Sequence, residues 1–140
     1  MAKNILKTRL NTNFYLLGIV SSMADYQLAW HINGALKINL TREEDHKINF
    51  KSDKYVSTAK FTFGTAHQNF IFFKNKASAG EGQNYLLPEV KNIDYLLMIN
   101  DETENLEILN VKNTLSKIKN VILIQLIEVD QLKSIENLID

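Results

Sequence analysis

Residues Val121 to Val129 read Val-Ile-Leu-Ile-Gln-Leu-Ile-Glu-Val, and this run of branched and aliphatic side chains is the strongest strand signal in the chain. The composition predicts a β-strand. Its apolar core, Val121 to Leu126, is far shorter than the ~20 residues that a helix needs to cross a bilayer. We therefore expect no transmembrane segment.

Other segments also have the composition or alternation of strands. Asn13 to Val20 predicts a buried strand, and Ile93 to Ile99 is apolar on both sides, which predicts a central one. Weaker candidates are Leu36 to Leu40, which alternates apolar and polar residues, and His46 to Phe50. The clearest local prediction is a hairpin, in which the segments 55–63 and 70–73 carry aromatic partners across a turn at 64–67.

Two segments have the period of a helix. In the first, at about residues 22–33, Ser22 and Asp25 resemble a capping box and Gly34 supplies the C-terminal stop. The second begins after the capping residues Asp101 to Asn105 and ends near Lys119, with its apolar residues along one side.

The order of these elements predicts an α+β fold in one domain spanning residues 1–140. We expect a single, mostly antiparallel sheet with two helices packed on one face, in the order β-α-β-β-β-β-α-β, a variant of ferredoxin-like folds. Residues 1–11 are expected to be flexible, residues 76–86 to form a mobile loop, and residues 130–140 to form a short docked tail.

Composition narrows the classes of function. The chain has no cysteine, which excludes disulfides and thiolate chemistry and fits a cytoplasmic protein. Its 16 basic and 16 acidic side chains balance, so it lacks the positive excess of a nucleic-acid binder. The N-terminus lacks the apolar stretch of a signal peptide. We expect a cytoplasmic protein whose partner is another protein, with a second copy of the chain as one candidate, rather than nucleic acid or a membrane.

Candidate catalytic residues are few. No two of His31, His46 and His67 have the spacing that places metal ligands on one side of a helix, and no serine lies in a nucleophile elbow. We predict no metal, no cofactor and no catalytic set. One residue stands out as a candidate for chemistry. Asp94 is a carboxylate within an otherwise apolar strand, and Glu89 could lie near it. Such a pair suits acid–base work or a divalent cation, although both acids are more often acceptors of backbone hydrogen bonds.

The segment Leu87-Pro88-Glu89-Val90-Lys91-Asn92-Ile93-Asp94-Tyr95 resembles the motif that names the IPExxxVDY family, small bacterial proteins found mainly in Bacteroidetes. Leu and Ile replace Ile and Val at its first and seventh positions. The family has no established activity, so the resemblance implies site residues rather than a reaction. These are Leu87, Pro88, Glu89, Ile93, Asp94 and Tyr95.

Three functions remain open at this level. The first is a non-enzymatic protein-binding or adaptor module that acts through the segment Leu87 to Tyr95. The second is a small hydrolase or a divalent-cation-dependent enzyme that uses Glu89 and Asp94. The third is an RNA-binding domain that stacks bases on the hairpin aromatics.

Overall fold

The structure, a computed structural model, describes residues 14–50, 54–77, 84–103 and 105–138. The N-terminus that we predicted to be flexible lies outside these ranges. The helices are α1 (Asp25–Leu36) and α2 (Ile108–Ser116). The strands are β1 (Tyr15–Ser21), β2 (Thr41–Arg42), β3 (His46–Phe50), β4 (Lys54–Thr58), β5 (Lys60–Gly64), β6 (Gln68–Lys74), β7 (Lys76–Ala77), β8 (Asn84–Tyr85), β9 (Tyr95–Asp101) and β10 (Val121–Ile127).

Six strands form the main sheet in the order β10-β1-β9-β6-β5-β2, and every neighbouring pair is antiparallel. β9 lies inside the sheet between β1 and β6, as its two-sided apolar pattern predicts. Two small ribbons, β3 with β4 and β7 with β8, stand apart from this sheet. The predicted α+β class with a mostly antiparallel sheet is confirmed, although the strands are more numerous than predicted.

The aromatic hairpin is present; its first strand is shorter than predicted and its second strand is longer. Phe61 lies opposite Phe72, and Phe63 lies opposite Phe70, with ring centroids 5.8 and 6.0 Å apart. The segment predicted as one strand from residue 55 is broken at Ala59, so its first half pairs with β3 instead. The connecting turn has the predicted place, since β5 ends at Gly64 and β6 begins at residue 68.

Both helices pack on the same face of the main sheet. Leu28 and Ile32 of α1 and Leu115 of α2 are fully buried there against the inward side chains of the strands, which include Leu17 of β1 and Leu97 of β9. Burial of each such side chain stabilises the fold by ~1.5–3 kcal/mol. This shared core holds the helices on one side, as predicted. None of the described helices is long and apolar enough to cross a membrane.

The opposite face of the sheet carries a second buried cluster. Leu16, Phe73 and Leu96 point to this side because neighbouring strand residues alternate between faces. The C-terminal residues cross the cluster in two short 3-10 turns, Val129–Gln131 and Ile135–Leu138, and Leu138 is buried in it. The tail therefore packs where a second helical layer would otherwise lie.

The predicted strand Leu36 to Leu40 is wrong. Helix α1 continues past Gly34 to Leu36 and ends at Lys37, which adopts the left-handed conformation (φ 57°). Asn33 explains the difference, because its side chain donates to the Leu40 carbonyl (3.2 Å) and accepts from the Leu40 amide (2.7 Å). The Asn33 side chain thus provides the partner that a neighbouring strand would have supplied.

Candidate functional site

The motif segment Leu87 to Tyr95 connects the ribbon β7–β8 to the central strand β9. Pro88 begins a 3-10 turn, Pro88–Val90, where its missing amide costs no hydrogen bond. Leu87 and Ile93 are buried in the second cluster on either side of this turn. We call residues 86–95 the acidic corner. The segment carries two acidic side chains, Glu89 and Asp94, and both are exposed.

Asn75 holds the acidic corner from inside. Its side chain is fully buried, its Nδ2 donates to the carbonyls of Val90 (3.1 Å) and Ile93 (2.9 Å), and its Oδ1 accepts from the Leu87 amide (2.9 Å). Its backbone amide also donates to the Asp94 carbonyl. One residue outside the motif therefore bonds four backbone groups within it, and a buried backbone group without a partner costs about 1–3 kcal/mol.

Glu89 joins the acidic corner to the C-terminal tail. Its Oε2 accepts hydrogen bonds from the backbone amides of Lys133 (2.6 Å) and Ser134 (2.7 Å). Partial burial pushes the pKa of Glu89 upward, but the amides of Glu89 itself, Ser134 and Lys133 together outweigh that effect, so its pKa lies below the ordinary value. The carboxylate is thus held in its charged form as an acceptor.

The last two motif residues bond the segment that connects β1 to α1. Asp94 accepts a hydrogen bond from the Ser21 amide (2.9 Å), where β1 ends. The Tyr95 hydroxyl donates to the Met23 carbonyl just before α1, and its ring stacks on Phe72 with centroids 5.2 Å apart. Burial, and then the negative charges of Asp25 and Asp94, raise the pKa of Tyr95 to about 12. Both side chains fasten the crossing from β1 into α1.

The structure gives the two acids separate backbone partners. Glu89 accepts hydrogen bonds from two amides of the tail, and Asp94 accepts one from the amide at the end of β1. The two carboxylates share none of these partners. Within the described ranges, no group of three or more His, Asp or Glu side chains could hold a metal ion. This geometry matches acids that hold the backbone in shape, the second of the two interpretations that the sequence allows.

The hairpin aromatics are likewise engaged. Phe61, Phe70 and Phe72 are buried beneath the helices, so their faces are not open for stacking on bases. Of the histidines, His46 is buried against Phe73 and contacts the Asn137 carbonyl through Nε2.

Sequence reasoning missed the residues that fasten the acidic corner from outside the motif. Besides Asn75, Asn137 donates from Nδ2 to the Leu86 carbonyl (2.8 Å). The only local signal is a polar residue next to an apolar strand, and that signal is also typical of an ordinary loop. Their partners lie 12 to 51 residues away, so no sequence pattern reveals them.

A different feature, which we call the aromatic patch, consists of the exposed Tyr26 and Trp30 of α1 with the partly buried Met23 and His31 beside them. Tyr26 and Trp30 lie one turn apart and are 64% and 71% exposed. With Gln27 and Asn120, the patch lines an open concavity of about 400 Å³. The Trp30 and His31 rings meet edge to face at 5.1 Å. The patch combines two exposed aromatic rings with side chains that can form hydrogen bonds, those of Gln27, His31 and Asn120.

Comparison of the chain with models of known protein families finds no match. A search of curated proteins finds no match either.

Proposed function

We propose that this chain is a non-enzymatic protein-binding module whose contact surface is the aromatic patch. The observation that carries the proposal is the exposure of Tyr26 and Trp30 side by side on α1. Large exposed aromatics are uncommon on plain surfaces, whereas Trp and Tyr are enriched at the energetic centres of protein interfaces. The acidic corner, which the motif first suggested as the contact surface, acts in this proposal as the support of the fold.

The chemistry of the patch favours a peptide segment with an apolar or aromatic anchor. The concavity between Tyr26, Trp30 and Asn120 has room for one or two side chains. Met23 offers an adaptable apolar wall, and the side chains of Gln27 and His31 offer hydrogen bonds at the rim. An anchor that enters such a site loses water from apolar surface and keeps polar partners around it.

Trp30 also provides the measurement, because it is the only tryptophan in the chain. Peptides selected from a displayed library against the whole protein should shift the Trp30 emission to shorter wavelength as they remove water from the ring. Tyr26→Ala should weaken their binding by roughly tenfold or more, as expected of a residue at an interface centre. Leu109→Ala, at an exposed position of α2 outside the patch, is the matched control and should bind as the wild type.

Two results would contradict the proposal. One is a set of selected peptides that, measured by Trp30 emission, bind Tyr26→Ala as tightly as the wild type. The other is binding that disappears with Glu89→Gln or Asp94→Asn while these variants stay folded, since this would return the contact surface to the acidic corner. The enzyme hypothesis has its own test, a thermal shift with divalent cations or phosphate compounds that the same two substitutions abolish.

We also propose, on the motif Leu87 to Tyr95 alone, that the chain is a relative of the IPExxxVDY proteins. What supports this is the set of roles that the motif residues have here. Pro88 begins the 3-10 turn, and Glu89, Asp94 and Tyr95 each bond a backbone group far away in sequence. A relative with an altered motif and an unaltered corner geometry would argue against it.

A further inference from the structure

β10 is one of the two edge strands of the main sheet. β10 pairs with β1 on its inner side, and within the described ranges no strand pairs with it on the outer side. The strand is seven residues long and contains no charged residue and no proline. An edge of this kind presents a row of backbone donors and acceptors that another strand can pair with.

The opposite edge of the same sheet is protected. There, β2 has two residues, Thr41 and Arg42, and Arg42 forms an ion pair with Asp45 (2.7 Å). Short, charged edge strands are the usual way in which proteins prevent pairing between sheets. The two edges of this sheet therefore differ in the property that decides whether a second chain can add to them.

The side chains at the start of β10 extend the apolar character of the edge. Ile122 is 75% exposed and Leu123 is 49% exposed. The register with β1 shifts between Val20 and Ser21, so Ile122 lies at a β-bulge, and the regular pairing of β10 runs from Leu123 to Ile127. The tail does not cover this edge, since after β10 Val129, Leu132 and Ile135 pack into the second cluster on the sheet face.

The charges at the two ends of β10 favour a second copy of this chain as the partner that pairs with its outer edge. Lys117 and Lys119 precede the strand, and Glu128 and Asp130 follow it; all four are exposed. A second copy that pairs antiparallel brings the basic end of each strand beside the acidic end of the other, and this happens twice by symmetry. A parallel copy would bring like charges together at both ends, which is unfavourable.

We propose that β10 pairs antiparallel with β10 of a second copy of this chain, about a two-fold axis near Ile124. The pairing is isologous, so it closes as a dimer and does not propagate into a fibre. It joins two main sheets edge to edge, and Ile122 and Leu123 of both copies lie along the junction. The proposal is independent of the aromatic patch, which belongs to the helical layer.

Sedimentation equilibrium of the full chain over a range of concentrations tests the dimer. We expect a dimer for the wild type and a monomer for the double variant Ile122→Lys, Leu123→Lys, with an unchanged circular dichroism spectrum because both positions are exposed. Leu109→Lys is the matched control, since it also replaces an exposed apolar residue (61%) and should remain dimeric. A wild-type chain that is monomeric throughout, or a double variant that stays dimeric, overturns the proposal.

A charge exchange tests the orientation without touching the strand. Lys117→Glu with Lys119→Glu should raise the dissociation constant by roughly tenfold, because it places acids beside the acids of the partner. Adding Glu128→Lys and Asp130→Lys to the same chain should restore the dimer. The charge argument is overturned if the variant with all four substitutions has a dissociation constant no lower than that of the double variant. It is also overturned if the double variant dimerises like the wild type.

Spin labels measure the geometry directly, and the cysteine-free chain allows single labelling. In an antiparallel pair, a residue n positions from the axis lies about 2n × 3.4 Å along the strand from its symmetry mate. Labels at Gln125→Cys should therefore be close together, and labels at Glu128→Cys should lie about 20 Å farther apart. Equal label separations at the two positions would indicate parallel pairing and overturn the proposal.

Discussion

The side-chain oxygen of Asn75 accepts a hydrogen bond from the Leu87 amide, 12 residues later in the chain, at 2.9 Å. The same side chain donates to two carbonyls beyond the 3-10 turn, so the acidic corner is organised around a residue that is not part of the motif. This arrangement separates the residues that shape the corner from those that are exposed on it.

We predict that Asn75→Ala destabilises the protein by about 2–4 kcal/mol, because it removes the partner of the buried Leu87 amide and of the Ile93 carbonyl. Urea denaturation of both proteins measures the difference. Asn113→Ala, at an exposed position of α2, is the control and should change stability by no more than ~0.5 kcal/mol. Equal effects of the two substitutions would refute the role given to Asn75.

Glu89→Gln should loosen the tail. The amide side chain is uncharged, so the hydrogen bonds from the Lys133 and Ser134 amides weaken, at a cost of about 1 kcal/mol for this largely exposed group. Hydrogen exchange of these two amides should become faster, whereas the amides of β9 should not change. Glu136→Gln, in the same tail, supplies the comparison; faster exchange at residues 133 and 134 in that variant would argue against the contact.

Protonation of Asp101 should cause part of the decrease in the free energy of unfolding at low pH. The Thr103 side chain is the largest influence on this carboxylate, and together with Gln68 and the amides of Leu106 and Thr103 it lowers the pKa of Asp101 to about 2. Because the pKa is lower in the folded protein than in the unfolded chain, the contribution is complete above about pH 4 and is lost as the pH falls through about 2. Asp101→Asn should flatten this part of the stability curve, and an unchanged acid limb would disprove the assignment.

Tyr95 should have the opposite dependence. The pKa of its hydroxyl is raised to about 12 in the folded protein, so its contribution is complete below about pH 10 and is lost as the pH rises through about 12. Tyr95→Phe removes the bond to the Met23 carbonyl and should cost about 1 kcal/mol near neutral pH. Absorbance titration at 295 nm compares the two proteins. The wild type should contain one tyrosine more than Tyr95→Phe that is still un-ionised at pH 11.

Two glycines should respond oppositely to alanine. A Cβ at Gly18, in β1, would meet the Ile127 side chain at 2.9 Å and the Ile93 side chain at 3.0 Å, so Gly18→Ala should destabilise the protein by about 1–3 kcal/mol. A Cβ at Gly34, near the end of α1, would meet nothing within 4 Å, and Gly34→Ala should stabilise the protein by up to about 1 kcal/mol. Thermal denaturation distinguishes them, and a shift of the same sign for both would contradict the packing described.

Local patterns were sufficient for the elements that depend on side-chain alternation. The aromatic hairpin follows from its strand composition and its turn residues, and the interior place of β9 follows from its two-sided apolar pattern. Leu36 to Leu40 shows the limit, because its alternation is that of a strand while Asn33 supplies its partner instead. For the candidate site, the sequence identified Glu89 and Asp94 as unusual but left their roles open.

The sequence by itself determined the α+β class, the antiparallel pairing and the face on which the helices lie, since these follow from the spacing of apolar residues along the chain. Only the tertiary structure decided that Glu89 binds the tail, that Asn75 holds the acidic corner and that β10 is a terminal strand of the sheet that the described residues form. A long-range hydrogen bond or an edge position depends on which distant segment packs beside a residue. The neighbours of that residue in the sequence do not specify this segment.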